Sequence, residues 1–398
     1  MTLLLLGLLI LIYSYLTLKI STAVKQTINP NQSILKFFTI FIPLYLVSYP
    51  LVGLIGFFLG LQSLISSFRF GNKIFDVLFT YPFWFGLVFA VQTFFPLLAI
   101  DIVKIISSLI ATSNLQAKIN SILPRLTLLI ALTSAIYSGI KIYIDTNAIK
   151  QKTIDFEIEN LHPSLNNFKI VHISDIQADA RTKREKIQKY IDIVNSTNPD
   201  IVIFTGDMVT YGTEHIPIAV EMLSKIKSKS GFYACIGDHD YWAGIENIKS
   251  EMQKYGLKLY SNENLRLKIN NANLTLTFIT NIYSERPNFE TLNSLLSENN
   301  ADLKILITHQ PSENLVELAH ENGYKIFLAG HTHGGQVTFS IFGFKIVPSR
   351  VETKYVSGDY RFNSMLINVN NGLGFTLAPI RLNAPAEVTI IKLRSKVK

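Results

Sequence analysis

The sequence is poor in cysteine and in charge. Cys235 is its one cysteine, which excludes an internal disulfide and a cysteine-rich zinc cluster. Only 17% of the 398 residues are charged, whereas about 25% is usual for soluble chains. The net charge is +8, but the basic residues form no stripe and are not interleaved with aromatic residues, so we do not expect nucleic-acid binding. The hydrophobic content of 48% indicates instead that part of the chain faces lipid.

The long apolar runs are confined to the first part of the chain. A membrane-spanning helix needs about 20 mainly apolar residues, and four segments qualify: Leu3–Leu18, Phe37–Leu61, Ile74–Ile100 and Ile122–Ile144. The first segment has neither a preceding basic region nor a following small-residue cleavage site, which favours a membrane helix over a signal peptide. We therefore predict an all-α transmembrane bundle of four helices at residues 1–148 and a soluble domain at 149–398.

Lysine and arginine residues near the predicted helix ends are only slightly asymmetric. Loops one and three carry six, namely Lys19, Lys25, Lys36, Lys104, Lys118 and Arg125. The opposite side carries five, namely Arg69, Lys73, Lys141, Lys150 and Lys152. Because basic residues favour the cytoplasmic side, this count leans towards a multi-pass protein of the cell membrane with an extracytoplasmic C-terminal domain. Asp101, at the end of the third segment, is expected to reach water there.

From Phe168 onward, short β-rich runs alternate with amphipathic helical runs, which is typical of a layered α/β domain. The predicted strands are Phe168–Ser174, Ile201–Thr205, Phe232–Ile236, Leu274–Thr280, Lys304–Thr308 and Lys325–Ala329. The predicted helices are Glu185–Ser196, Ile216–Lys227, Ile245–Tyr255, Phe289–Ser297 and Glu313–His320. Beyond residue 335, Leu366–Asn368 and Glu387–Leu393 are predicted as strands that close a second sheet.

Acidic and imidazole groups follow five of these strands directly. They are Asp175, Asp207, Asp238, His239, His309, His331 and His333. Taken singly, such residues are more often turn formers, helix caps or solvent-facing side chains. Strand ends in an open α/β sheet converge on one edge, however, and carboxylates with imidazoles suit a pair of divalent ions such as Mn, Fe or Zn, the usual clamp for phosphate ester hydrolysis.

These residues lie in blocks that resemble a known family. S-D-I-Q at 174–177, G-D at 206–207, G-D-H-D at 237–240, T-H at 308–309 and G-H-T-H-G-G-Q at 330–336 resemble the signature of the calcineurin-like metallophosphoesterases. P-I-R-L-N-A-P-A-E at 379–387 is similar to the bacterial membrane-associated branch. The resemblance implies an α/β four-layer sandwich, two mixed β-sheets flanked by helices, acting on phosphate esters.

The resemblance also implies a role for each matching residue. Two divalent metal ions, Mn, Fe, Zn or Mg, would be the cofactors. Asp175 and His333 would bind the first ion together with Gln177, Asp207 would bridge both ions, and Asp238, His309 and His331 would bind the second. A hydroxide bridging the ions would attack phosphorus. His239 would stabilise charge or protonate the leaving oxygen, steered by Asp240.

Several positions depart from the family pattern. Gln177 replaces a usual histidine, Asp238 replaces asparagine, and Thr210 replaces a second aspartate. An amide oxygen is a poorer zinc ligand than imidazole, so the first site should bind weakly or favour Mn or Mg. Asp179 is a candidate to compensate. Asn371 stands where an arginine is expected, and the missing phosphate contact is assigned to Arg381 or Arg361. His172 is expected to be packed inside or to lie behind the metal ligands and support them.

Three functions are compatible with these observations. The first is hydrolysis of phosphomonoesters, phosphodiesters or pyrophosphates, with lipid-linked substrates favoured because the domain is tethered to a lipid bilayer. The second is a catalytically weakened pseudo-phosphoesterase that acts as a membrane receptor or scaffold, motivated by the departures from the pattern. The third is a transporter, but the apolar segments lack the paired charges and inverted repeats that this would require.

Overall fold

The structure is a computed structural model that describes residues 2–61, 72–298 and 301–396. The chain divides into two compact units, Met1–Ile144 and Asp145–Lys398. The predicted domain boundary at residues 148 and 149 lies close to this division and remains a prediction. Arg69, one of the charges used to predict orientation, lies outside the described residues.

The first unit is helical. Its described part contains four helices long and apolar enough to cross a membrane. They are α1 (Thr2–Ile28), α2 (Gln32–Phe58), α3 (Lys73–Ile110, with a π-helical stretch at Asp76–Thr80) and α4 (Ser113–Asn147). Asn31 begins α2, because its side-chain oxygen accepts hydrogen bonds from the backbone N–H groups of Ser33 and Ile34. Large apolar side chains cover much of the outer surface, as expected where lipid replaces water.

These helices are longer than the apolar runs that predicted them. Lys19 lies inside α1 and Asp101 inside α3, rather than at helix ends. The two residues form an ion pair, and Asp101 also accepts a hydrogen bond from the Tyr15 hydroxyl at 2.6 Å. Asp101 therefore has protein partners where we expected water, because two polar residues on neighbouring helices satisfy each other away from the helix ends.

The second unit contains two six-stranded mixed sheets. The first has the order β1 (Ile149–Ile158), β14 (Ala386–Ser395), β2 (Lys169–Ile173), β3 (Ile201–Phe204), β4 (Phe232–Cys235) and β5 (Leu259–Tyr260). The second has the order β12 (Gly358–Phe362), β13 (Met365–Val369), β9 (Ile326–Ala329), β8 (Leu303–Thr308), β7 (Ala272–Ile279) and β6 (Glu263–Ile269). A separate hairpin pairs β10 (Phe339–Ile341) with β11 (Phe344–Ile346).

Helices cover the outer faces of both sheets. The first sheet packs against α5 (Arg184–Ser196), α6 (Ile216–Leu223) and α7 (Asp238–Lys254), and the second against α8 (Phe289–Leu296) and α9 (Glu313–Glu321). Side chains of both sheets, such as Ile170 and Ile305, share one buried core between them. The predicted four-layer sandwich is confirmed, and this packing holds the ends of the two sheets side by side.

Two details differ from the prediction. The predicted strand Glu387–Leu393 belongs to β14, which lies in the first sheet between β1 and β2 rather than in the second. A local apolar pattern predicts a strand but does not select its partner, which here is fixed by long-range pairing such as Ile149 with Ala386. α7 consists of two helices joined at a kink at Gly244, where φ is 106°. The second follows the kink, in agreement with the predicted start at Ile245, and the first, which begins at Asp238, was not predicted.

Candidate metal centre

The first sheet delivers the acidic groups. Asp175 follows β2, Asp207 follows β3, and Asp238 begins α7 just after β4. The two G-D blocks contact each other closely: a Cβ atom on Gly206 would lie 2.6 Å from the backbone nitrogen of Gly237, and one on Gly237 would lie 2.2 Å from Asp207 Oδ1. Both glycines are therefore required by the close approach of two backbones that carry acidic side chains.

The second sheet delivers the imidazoles. His309 follows β8, and its Nδ1–H donates to the Thr205 carbonyl at 2.7 Å. This fixes the ring so that Nε2 lies 3.3 Å from Asp207 Oδ2 and 3.5 Å from Asp238 Oδ2. Beyond β9, His331 Nδ1 lies 3.1 Å from Asp238 Oδ2. His333 Nε2 lies 3.3 Å from Asp175 Oδ1.

Much of this centre has left-handed backbone. Asp175, Gln177, Asp207, His331 and His333 have φ values of 51°, 50°, 61°, 70° and 50°. Non-glycine residues adopt this conformation uncommonly, with Asn, Asp and His the most tolerant. Each such position costs about 1–3 kcal/mol, and such strain clusters at functional sites. The sandwich thus holds unfavourable backbone at the residues whose side chains meet.

Burial and charge act in opposite directions on these groups. Burial alone would lower the pKa of His309, but Asp207, Asp175 and Asp238 raise it to about 10. The same competition raises the pKa of His331 to about 9, with Asp238 and Glu352 as its acidic partners. The acidic side chains thus attract positive charge strongly enough to overcome desolvation of the imidazoles. A divalent ion would supply the positive charge that these acidic side chains attract.

The residues present fit divalent metal ions. Among the described residues, Asp175 Oδ1, Gln177 Oε1, His309 Nε2 and His333 Nδ1 are buried without a hydrogen-bond partner. Two overlapping groups each have ligand atoms within 4.8 Å of one another: Asp238, His309 and His331, and Asp175, Asp207 and His309. Unpaired buried acceptors of this kind are costly unless a cation binds them. Carboxylate oxygens with imidazole nitrogens are suitable ligands for Mn, Fe or Zn.

Gln177 lies within this centre but makes a protein contact. Its Nε2 donates to Asp207 Oδ2 at 2.8 Å, while Oε1 is among the unpaired buried atoms. Asp179 does not compensate for it, because Asp179 Oδ1 accepts from the backbone N–H groups of Arg181 and Thr182 and Oδ2 from the Thr210 hydroxyl. Thr210 therefore anchors a loop where the family pattern has an acidic residue.

Asp238 has donors that the sequence pattern did not reveal. Its Oδ1 accepts from the Tyr283 backbone N–H at 2.7 Å, and its Oδ2 accepts from Gln310 Nε2 at 2.7 Å. Glu352 was missed too: its Oε2 lies 3.1 Å from His331 Nε2. Gln310 directly follows His309 and could have been suspected from that position. No such signal marks Tyr283, which contributes only its backbone N–H, or Glu352, which lies in an irregular segment.

His239 and Asp240 do not form the expected pair. His239 Nδ1–H donates to the Thr210 carbonyl at 2.6 Å, and the ring packs edge-on against Trp242. The Asp240 carboxylate instead accepts from the backbone N–H groups of Gly237, Asp207 and Met208. Asp240 thus holds the Asp207 loop in place and does not steer His239. Its buried carboxylate is occupied by these three backbone N–H groups.

The two arginines expected to contact phosphate have other partners. Arg381 is fully buried and donates four hydrogen bonds to the carbonyls of Asn371, Ala384, Gly372 and Gly374. Arg361 lies over the Phe156 ring, 4.4 Å from its centroid. Neither arrangement presents the guanidinium to the metal centre, so the suggested phosphate contact is wrong for Arg381. His172 is buried as expected, between Asn368 and Thr205.

Comparison with known proteins agrees with this geometry. Residues 168–335 match the family model of the calcineurin-like phosphoesterases. The chain is 30% identical to an uncharacterized metallophosphoesterase of Campylobacter jejuni, over 76% of this chain and 78% of that protein. It is 28% identical to an uncharacterized metallophosphoesterase of Bacillus subtilis, over 67% and 92%.

A vertebrate protein is also similar. The transmembrane protein with metallophosphoesterase domain of Danio rerio is 27% identical over 61% of this chain and 57% of its own length. Its name joins two features that this chain also combines, apolar helices of membrane-spanning length and a phosphoesterase fold. From the region that matches the family model and the 30% identity to the Campylobacter jejuni protein, the chain belongs to the calcineurin-like phosphoesterase family of metal-dependent phosphoric ester hydrolases.

Proposed function

We propose that the second unit hydrolyses phosphomonoesters, phosphodiesters or pyrophosphates with two divalent metal ions. The ions would be held by Asp175, Gln177, Asp207, Asp238, His309, His331 and His333. One observation carries this proposal: acceptor atoms of Asp175, Gln177, His309 and His333 are buried in this centre without hydrogen-bond partners. Buried polar atoms without a hydrogen-bond partner are uncommon in folded proteins, and four of those among the described residues belong to this one centre.

When bound, the ions would lower the pKa of a water molecule and neutralise charge on the phosphate oxygens. The protein contributes the rest. Asp207 contacts both Gln177 and His309 and so connects the two ligand groups. His239 is partly exposed, and its Nδ1–H is held by the Thr210 carbonyl, which leaves Nε2 for the leaving oxygen. A positioned imidazole of this kind typically contributes about 10²–10⁴-fold to the rate.

Lipid-linked phosphate esters are the substrate class we favour. The support is the tether, because four helices of membrane-spanning length raise the concentration of the second unit near membrane substrates. We place the chain in the cell membrane. The second unit is assigned to the extracytoplasmic side on the six-to-five distribution of basic residues.

Metal loading combined with turnover tests this function. The full chain in detergent, stripped of metal and reloaded with Mn, Zn or Mg, is assayed with phospholipid, polyprenyl and nucleotide-lipid esters and with a chromogenic phosphodiester. We expect two metal equivalents and turnover. His239→Ala should retain the metal and lose at least about 10²-fold in rate, with smaller losses for good leaving groups, which need less protonation.

One outcome would contradict hydrolysis directly. Binding of one equivalent or none, without turnover of any ester, would favour the receptor or scaffold function that Gln177, Asp238 and Thr210 suggest. An equal loss for good and poor leaving groups in His239→Ala would remove the proton-donor role while leaving the metal centre in place.

A further inference from the structure

The hairpin of β10 and β11 is a two-stranded ribbon with one apolar face. Its register pairs Phe339 with Ile346, Ser340 with Lys345, and Ile341 with Phe344. Because side chains alternate between the faces of a strand, the four apolar residues share one face and Ser340 and Lys345 share the other. The hairpin belongs to neither six-stranded sheet.

The apolar residues of β11 are unusually open to solvent. Phe344 is 77% exposed and Ile346 is 50% exposed, and two more apolar side chains with high exposure follow in the chain, Val351 at 90% and Leu377 at 74%. The Leu377 segment adjoins the hairpin base, because Gln336 Nε2 donates to the carbonyls of Thr376 and Ala378. Exposed apolar side chains on one face of a hairpin mark an interaction surface.

Hydrogen bonds link this surface to the end of α4. The last residues of α4, Asp145 and Thr146, belong to the second unit. Asp145 Oδ2 accepts from the Asn383 backbone N–H, and Thr146 Oγ1 from that of Arg381. The same segment supports the hairpin base, since Asn383 Nδ2 donates to the Thr338 carbonyl at 2.9 Å. Hydrogen bonds thus join the end of a helix of membrane-spanning length to the start of the hairpin.

The register of the first sheet leads to the same conclusion. β1 begins at Ile149, just after α4, and Ile149 pairs with Ala386 at the start of β14. β14 runs antiparallel to β2 and pairs Thr389 with His172, three residues before Asp175. The chain therefore enters the sandwich at the edge that carries the metal centre.

Charge around this edge suits an anionic bilayer. Residues 339–356 contain three basic residues, Lys345, Arg350 and Lys354, against one acidic residue, Glu352. A cavity of about 320 Å³ beside Thr146 and Asn147 is lined by four basic residues, Arg181, Lys183, Lys186 and Lys189, and by one acidic residue, Glu185. Basic residues next to the bilayer attract anionic headgroups. Apolar side chains flanked by cations are the composition of an interfacial membrane-binding segment.

We propose that the hairpin inserts the apolar face containing Phe344 and Ile346 into an anionic lipid bilayer and brings the metal centre to its headgroups. Residues of the metal centre lie on both sides of the hairpin in the sequence. His331 and His333 precede it, and Glu352, which contacts His331, follows it. The activity part of this inference rests on the proposed function, whereas the insertion itself does not.

A fluorophore in the hairpin measures insertion directly. The natural cysteine, Cys235, is buried, so a thiol-reactive nitrobenzoxadiazole dye should label Phe344→Cys selectively, with the natural chain as background. The matched control is Tyr255→Cys, at the end of α7 opposite to Asp238. The full chain is placed in nanodiscs of phosphatidylcholine with phosphatidylglycerol.

We expect lipids that carry a nitroxide on the acyl chain to quench the dye at residue 344 but not at residue 255. Iodide in the water should do the reverse. Equal quenching at both positions by iodide would overturn the proposal. Protection of residue 344 from both quenchers would show that protein covers it, as in a contact with a second copy, and would overturn it as well.

Activity separates this inference from the proposed function. Phe344→Asp should lower kcat/KM for a phosphate ester embedded in vesicles by about tenfold, while turnover of soluble bis-p-nitrophenyl phosphate stays unchanged. Tyr255→Asp should change neither. Unchanged vesicle turnover in Phe344→Asp would refute the docking role alone. Absence of turnover for both substrates in the natural chain would refute the proposed function but leave the quenching result valid.

Discussion

The two sheets of the second unit contribute different chemistry to one centre. Strand ends of the first sheet supply the acidic and amide side chains, Asp175, Gln177, Asp207 and Asp238. Those of the second sheet supply the imidazoles, His309, His331 and His333. Neither sheet alone offers a mixed ligand set, so the centre exists only where the shared core packs the two sheets together. Stability of that interface is therefore a condition for metal binding.

The acidic ligands of the first sheet should be more sensitive to substitution than the imidazoles of the second. Asp207→Asn removes a charge that contacts His309 and Gln177, while asparagine tolerates the same left-handed backbone. We expect loss of metal and at least about a 10³-fold fall in turnover, measured by elemental analysis and a chromogenic phosphodiester. Asp192→Asn, on the exposed surface of α5, is the matched control. Two retained equivalents with natural activity would show that Asp207 holds no ion.

Replacing Gln177, the amide ligand of the first sheet, with an imidazole tests whether the two sheets must supply different ligand types. Gln177→His adds a better ligand for zinc than an amide oxygen, and we expect about tenfold tighter zinc binding, measured by competition with a chelator. Manganese should gain less, because it prefers oxygen ligands. Gln188→His, which lies on α5, should not alter either affinity. Weaker binding of both ions would mean that the Gln177 hydrogen bond to Asp207 matters more than ligation.

The smallest effect concerns a histidine between the sheets. His172, on β2 of the first sheet, contacts Asn368 on β13 of the second, and burial lowers its pKa from 6.5 to about 4. The unfolded chain therefore binds more protons between these pH values, and the free energy of unfolding falls as pH is lowered through this window. The slope is at most about 1.4 kcal/mol per pH unit.

His172→Gln tests this linkage, since glutamine cannot take up the proton. Denaturant unfolding in detergent, followed by tryptophan fluorescence, should show a shallower loss of stability between pH 6.5 and pH 4 in the variant. Parallel curves for both proteins, offset only by a constant, would exclude protonation of His172 as a cause of acid sensitivity.

Sequence reasoning succeeded where a local pattern has only one structural outcome. Asp175, Asp207 and His309 directly follow apolar strands, and strand ends of a layered α/β domain share an edge, so their convergence was predictable. The partners of Asp238 were not, because Tyr283 contributes a backbone N–H that any residue other than proline could supply. The place of β14 was missed because it depends on pairing with β1, more than two hundred residues away.

Asp240 illustrates a different limit. Its block predicts an acidic residue beside His239, but the sequence does not state which donors lie within reach. In the fold, three backbone N–H groups surround its carboxylate, and they satisfy it fully. Burial, followed by the nearby Asp207 charge, raises the pKa of Asp240 to about 7. Such competition among donors is settled only by the three-dimensional packing.

The left-handed backbone of the centre restricts how this protein can change over generations. At Asp175, Asp207, His331 and His333, a valine, isoleucine or threonine would be disfavoured by its own φ preference before any ligand chemistry is considered. Asparagine and glycine are the replacements that the chain conformation accepts. A duplicated copy released from selection would therefore be expected to lose its ions through Asn or Gly at these positions and to keep its sandwich long afterwards.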